Sequence, residues 1–83
     1  MSVHDTVVRV LDTHAKLTTP AGSLSRDADL YAAGMTSHAS VNVMLAVEDA
    51  FDIEFPDALL TKTTFCSVGA ISSAVEGLME AAA

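Results

Sequence analysis

Residues 34–51 read GMTSHASVNVMLAVEDAF: a glycine, a short polar run with two serines, then apolar positions interleaved with polar ones. Val43, Val47, Ala50 and Phe51 recur at i, i+4, i+7 and i+8, the spacing of one helical face. Val41 and Leu45 form a second apolar row beside them, either as core or as an exposed strip. The pattern predicts a helix over 37–51 that begins at Ser37. Pro56 closes its continuation, because proline lacks the backbone N–H and disfavours a helical residue before it.

Upstream, Thr18 to Thr36 contains Thr-Thr-Pro, Ala-Gly-Ser and Asp-Ala-Asp, all loop chemistry. A loop this long is uncommon in so small a domain and is often functional. Its apolar pair, Leu30 and Tyr31, is expected to pin it to the core. Before the loop, Val3, Val7, Val10, Leu11 and His14 share one helical face while Arg9, Asp12 and Lys16 lie elsewhere, which predicts a helix from 3 to 17. Downstream, residues 57–62 are expected to make one or two turns. A last helix begins near Ser67, whose hydroxyl can cap it, and runs through Val68, Ile71, Val75 and Leu78 before Ala81 to Ala83 fray. Alternating strand patterns and internal repeats are absent. The expectation is an all-α fold, a small bundle of three main helices plus one short helix, as a single domain over residues 1–83.

Composition narrows the function. A chain of 83 residues buries only about 60% of the surface its unfolded state exposes, which leaves little room for an enclosed active site. Apolar residues make up 51% of the chain, enough for a folded domain. Four basic against eleven acidic side chains give a net charge of −7, which repels nucleic acid and anionic membranes and favours a basic protein partner. Cys66 is the single cysteine, so an intrachain disulfide is impossible. The N-terminal MSVHDTVVRVLDTHAKL fits neither a signal peptide nor a membrane span. A cytoplasmic protein that is monomeric when free is expected.

Catalytic and metal motifs find little support. His4, His14 and His38 are too far apart in sequence for ligand spacing. Asp49, Asp52, Glu54 and Asp57 lack the central glycine and terminal glutamate of a calcium loop and read as a solvated acidic surface. Ser37 and His38 are adjacent, so on a helix they point about 100° apart and do not form a nucleophile–base pair. Met35 and Ala39 stand where a Gly-x-Ser-x-Gly elbow needs glycines. Cys66 reads as a small apolar residue under the last helix. No enzyme is expected.

From Leu30 to Pro56, LYAAGMTSHASVNVMLAVEDAFDIEFP resembles the acyl and peptidyl carrier proteins. That family's pattern is a leucine and an aromatic, a spacer to glycine, Gly-x-Asp-Ser-Leu, an apolar and acidic helix ending near phenylalanine, and a proline. Leu30, Tyr31, Gly34, Ser37, Val41, Val43, Val47, Glu48, Phe51 and Pro56 stand in its register without a gap. TTFCSVGAISSAV resembles the entry to the family's last helix, and the likeness covers roughly residues 3–80. The resemblance implies that Ser37 carries a 4'-phosphopantetheine arm, installed from coenzyme A by a phosphopantetheinyl transferase, whose thiol holds a cargo as a thioester. Ser40, one turn later, reads as a helix-surface hydroxyl.

The departures concern partners. The family's Asp-Ser-Leu reads Thr36-Ser37-His38 here. Thr36 can still cap the helix, and His38 replaces an apolar partner contact, which makes it a specificity position. Asn42 stands where many carriers are acidic, whereas Glu48 and Asp49 keep their charge, and Val41 and Leu45 supply an apolar row. The Thr-Ser-His variation followed by Ala39 is similar to the stand-alone aminoacyl carriers served by amino acid:carrier-protein ligases, which implies a small amino acid passed to a downstream acceptor enzyme. A fatty-acid or polyketide acyl carrier fed by an acyl-loading enzyme is the alternative, and an unmodified helical adaptor is the second.

Overall fold

The computed structural model describes residues 2–82. Three α-helices, α1 (Val3–His14), α2 (Ser37–Phe51) and α3 (Val68–Ala82), are joined by connections that each contain a short 3-10 turn, at Ala21–Ser23 and Asp57–Leu59. Both α2 and α3 pack against α1. No strand occurs among the described residues.

Each helix begins on a hydroxyl. Ser2 Oγ accepts the Asp5 N–H at 3.1 Å, Thr36 Oγ1 accepts the Ala39 N–H at 3.0 Å, and Ser67 Oγ accepts the Ala70 N–H at 3.0 Å. Each satisfies one of the first-turn donors that a helix cannot satisfy itself. The buried strips are Val7, Val10 and Leu11 on α1, Ala39, Val43 and Val47 on α2, and Val68, Ile71 and Val75 on α3. Phe55 and Phe65 meet edge to face, 5.3 Å between centroids, and close the core beneath the α2–α3 connection.

The helix ends differ in part from expectation. The first helix stops at His14, not residue 17, because Lys16 turns into the left-handed region with φ of 56°. Leu17 still packs on the core, but from outside the helix. The second helix ends at Phe51 as its spacing predicts, although the stop is made by Asp52 and not by Pro56. Asp52 takes a left-handed conformation, and its N–H and that of Ile53 both reach the Glu48 carbonyl. This closure satisfies a terminal carbonyl without a glycine. Pro56 instead opens the second 3-10 turn. Ala50 shares the apolar face by spacing but is exposed, whereas Phe51 beside it packs partly buried against the core. The last helix continues through Ala81 to Ala82 instead of fraying there; Ala83 lies outside the described residues.

The long α1–α2 connection is held by bonds to distant parts of the chain. Leu30 is fully buried, and its N–H reaches the Cys66 carbonyl at 2.7 Å. Tyr31 is half-buried beside it. The Ala21 N–H reaches Asp12 Oδ1 at 2.7 Å, and the Gly69 N–H reaches the Arg26 carbonyl at 2.9 Å. Gly34, with φ of 119°, makes the last turn before α2. A Cβ there would stand 3.3 Å from the Thr18 methyl, and Thr18 N–H and Oγ1 both bond the adjacent Ala33 carbonyl. Only glycine adopts that backbone without strain.

Candidate functional site

The order of residues at the start of α2 determines the site. Gly34 turns the chain, Met35 anchors it in the core, Thr36 caps the helix, and Ser37 is thereby placed as its first residue, exposed to solvent. Thr36 takes the Ala39 N–H, so the N–H groups of Ser37 and His38 remain without an intrahelical partner. A group with negative charge attached at Ser37 would meet those donors and the positive end of the helix dipole.

Beside Ser37 runs a groove of about 410 Å³ between α2 and the α2–α3 connection. Ser37, Ser40, Val41 and Met44 form its helical wall, at the spacing i, i+3, i+4 and i+7, while Leu60, Lys62 and Phe65 face them. Its apolar walls stand open to solvent: Val41 is 51% and Leu60 44% exposed. Ser40 is half-buried, and its hydroxyl donates to the Ser37 carbonyl at 2.6 Å. One serine is thus tied to the backbone while the other faces out at the helix start.

A second stripe on α2 holds His38, Val41, Asn42, Leu45 and Asp49. His38, Leu45 and Asp49 are exposed, with Leu45 at 53%, and Asn42 is half-buried. Val41 and Leu45 are therefore surface residues, which resolves the two readings left open by their spacing. Glu48 lies differently: it is half-buried, and its Oε2 accepts the Phe55 N–H at 2.8 Å, which fastens the chain leaving α2. Asp52, Glu54 and Asp57 are exposed. Cys66 is half-buried with its carbonyl bound to Leu30. The groove was not foreseen. Met44 could have been found from its seven-residue spacing to Ser37, whereas Leu60 and Lys62 carry no local signal.

The fit of these residues to a phosphopantetheine group rests on three features of the chain: an exposed hydroxyl, unsatisfied helix N–H donors around it, and an apolar groove alongside. Residues 4–75 match the family described as phosphopantetheine attachment site. The chain belongs to that family of carrier proteins. It is 45% identical over 75 residues to the aminoacyl carrier protein of Agrobacterium fabrum (strain C58 / ATCC 33970), covering 90% of each chain. Among solved structures, it is similar to the carrier protein from Agrobacterium tumefaciens complexed with an engineered Bradyrhizobium japonicum glycine:carrier protein ligase and ATP. There the TM-score is 0.86 and the identity 46%, over 89% of this chain and 96% of that one. A glycylated carrier protein complexed with the Bradyrhizobium japonicum ligase matches with a TM-score of 0.74 and 28% identity, over 87% and 96% of the two chains. The all-helical carrier fold expected from the sequence is shared with these relatives, and no helix among the described residues is long and apolar enough to cross a membrane.

Proposed function

We propose that this carrier protein bears 4'-phosphopantetheine on Ser37 and delivers a small amino acid, of the size of glycine, from a loading ligase to an acceptor enzyme. The observation that carries the reading is the exposure of Ser37 as the first residue of α2, capped by Thr36 and bordered by an apolar groove. When bound, the group supplies a terminal thiol that holds the cargo as a thioester. The chain's own residues attach, orient and present. The Ser37 and His38 N–H groups with the helix dipole favour the phosphodiester charge by about 0.3–1 kcal/mol. Thr36 fixes the helix start without placing a carboxylate beside that charge. No side chain of this chain is assigned a catalytic step.

Partner recognition belongs to α2. Exposed His38 adjoins Ser37, and Val41 and Leu45 offer an apolar row with Asn42 and Asp49 along it, an arrangement suited to a transient interface with a charged rim. Glu48 contributes charge to that rim through its carboxylate, already bonded to Phe55. The partners are a phosphopantetheinyl transferase, an amino acid:carrier-protein ligase and a downstream acceptor, reached by a free monomer of one domain in the cytoplasm, without nucleic acid or membrane. The test has two stages read by intact mass. Coenzyme A and a broad-specificity transferase should add one phosphopantetheine, and glycine, ATP and a glycine:carrier protein ligase should then add one glycyl group. Failure of the first stage favours an unmodified adaptor. Failure of the second, with loading by a fatty-acyl enzyme instead, favours the acyl carrier.

A further inference from the structure

The groove beside Ser37 carries one fixed positive charge. Among the residues that line it, Lys62 is the single lysine or arginine, in a chain with only four basic side chains against eleven acidic ones. Its Nζ stands 4.8 Å from the centroid of the Tyr31 ring, and Tyr31 lines the same groove. An aromatic face attracts an ammonium group, so Tyr31 holds Lys62 at the groove.

We propose that Lys62 is a specificity-determining residue of this groove: it admits the uncharged end of an arm carried on Ser37 and turns away an end that bears an ammonium. The inference rests on the reading of Ser37 as the attachment point. Ser37 itself lines the groove, so an arm that starts there enters it directly. The walls formed by Val41, Met44 and Phe65 are apolar and offer a cation no counter-charge. Lys62 is itself exposed at the rim, so any cation brought between the walls approaches a like charge at short range. An aminoacyl group with its free α-ammonium is therefore left in solvent, available to an acceptor, whereas a neutral acyl group of the same size is sheltered.

Glycyl and propionyl groups make the comparison clean, because they share a shape and differ by an ammonium in place of a methyl. Both would be installed on Ser37 as stable amides, by transferase from the matching coenzyme A analogues, with attachment confirmed by intact mass. Nuclear Overhauser contacts would then be read from the methylene that both groups possess. The expected result is contacts from the propionyl methylene to the Met44 methyl and Phe65 ring, and loss of those contacts in the glycyl form. In Lys62→Met the glycyl methylene should gain contacts to Met44 and the Tyr31 ring; Lys62→Arg should keep the discrimination. Equal contacts for both groups, contacts from neither, or a glycyl group still excluded in Lys62→Met would overturn the role of Lys62 while leaving the attachment intact. A missing mass increment would instead overturn the attachment, and the proposal with it.

Discussion

Ser37 and Ser40 lie one turn apart on α2 and meet different surroundings. Ser40 donates its hydroxyl to the Ser37 carbonyl, while Ser37 faces solvent at the helix start. What sets Ser37 there is the turn at Gly34, whose φ of 119° strains any residue with a Cβ and brings that Cβ within 3.3 Å of the Thr18 methyl. Gly34→Ala is expected to destabilise the fold by about 1–3 kcal/mol, the usual cost of a side chain in such a conformation. Urea denaturation of the two proteins measures this, and an unchanged midpoint would contradict the strain assigned to that turn. These residues were legible in the sequence because a glycine, a cap and an apolar spacing are local signals. The left-handed Lys16 and Asp52 were not, since nothing in a lysine or an aspartate demands that conformation; the tertiary course of the chain imposes it.

At the scale of the element, α2 presents two sides of different duty. Val43 and Val47 hold it to the core, whereas Val41 and Leu45 face out. Val41→Ala and Leu45→Ala should change stability by no more than about 0.5 kcal/mol, as expected for surface positions, yet lower the loading rate by an amino acid:carrier-protein ligase. A large stability loss in either variant would place that side chain in the core. Glu48 should differ from both in stability. Removing its carboxylate in Glu48→Ala leaves the part-buried Phe55 N–H without its acceptor, an expected cost of about 1–3 kcal/mol. Thermal or urea unfolding distinguishes the two classes. The limits of α2 followed from its own spacing, but its two apolar rows could not be ranked until α1 was seen to cover one of them. The α1–α2 connection was harder still, because its order comes from bonds such as Leu30 to Cys66 and Arg26 to Gly69 that join residues far apart in sequence.

For the whole molecule, the net charge of −7 sets how it meets partners. With a screening length of about 8–10 Å at ordinary ionic strength, exposed carboxylates such as Asp49 and Asp52 act on a basic partner chiefly at low salt. Affinity for the loading ligase should therefore fall as salt is raised; a dissociation constant independent of salt would show that the apolar row alone carries the binding. The acidic character was readable from composition, whereas the lone cation at the groove was not, because Lys62 and Tyr31 are brought together only by the fold. The central claim, that α2 exists to hold one serine out for modification, is tested most directly by intact mass after incubation with coenzyme A and a broad-specificity transferase. The account predicts one phosphopantetheine increment in the native chain and in Ser40→Ala, and none in Ser37→Ala. An increment that survives Ser37→Ala, or that never forms, would contradict it.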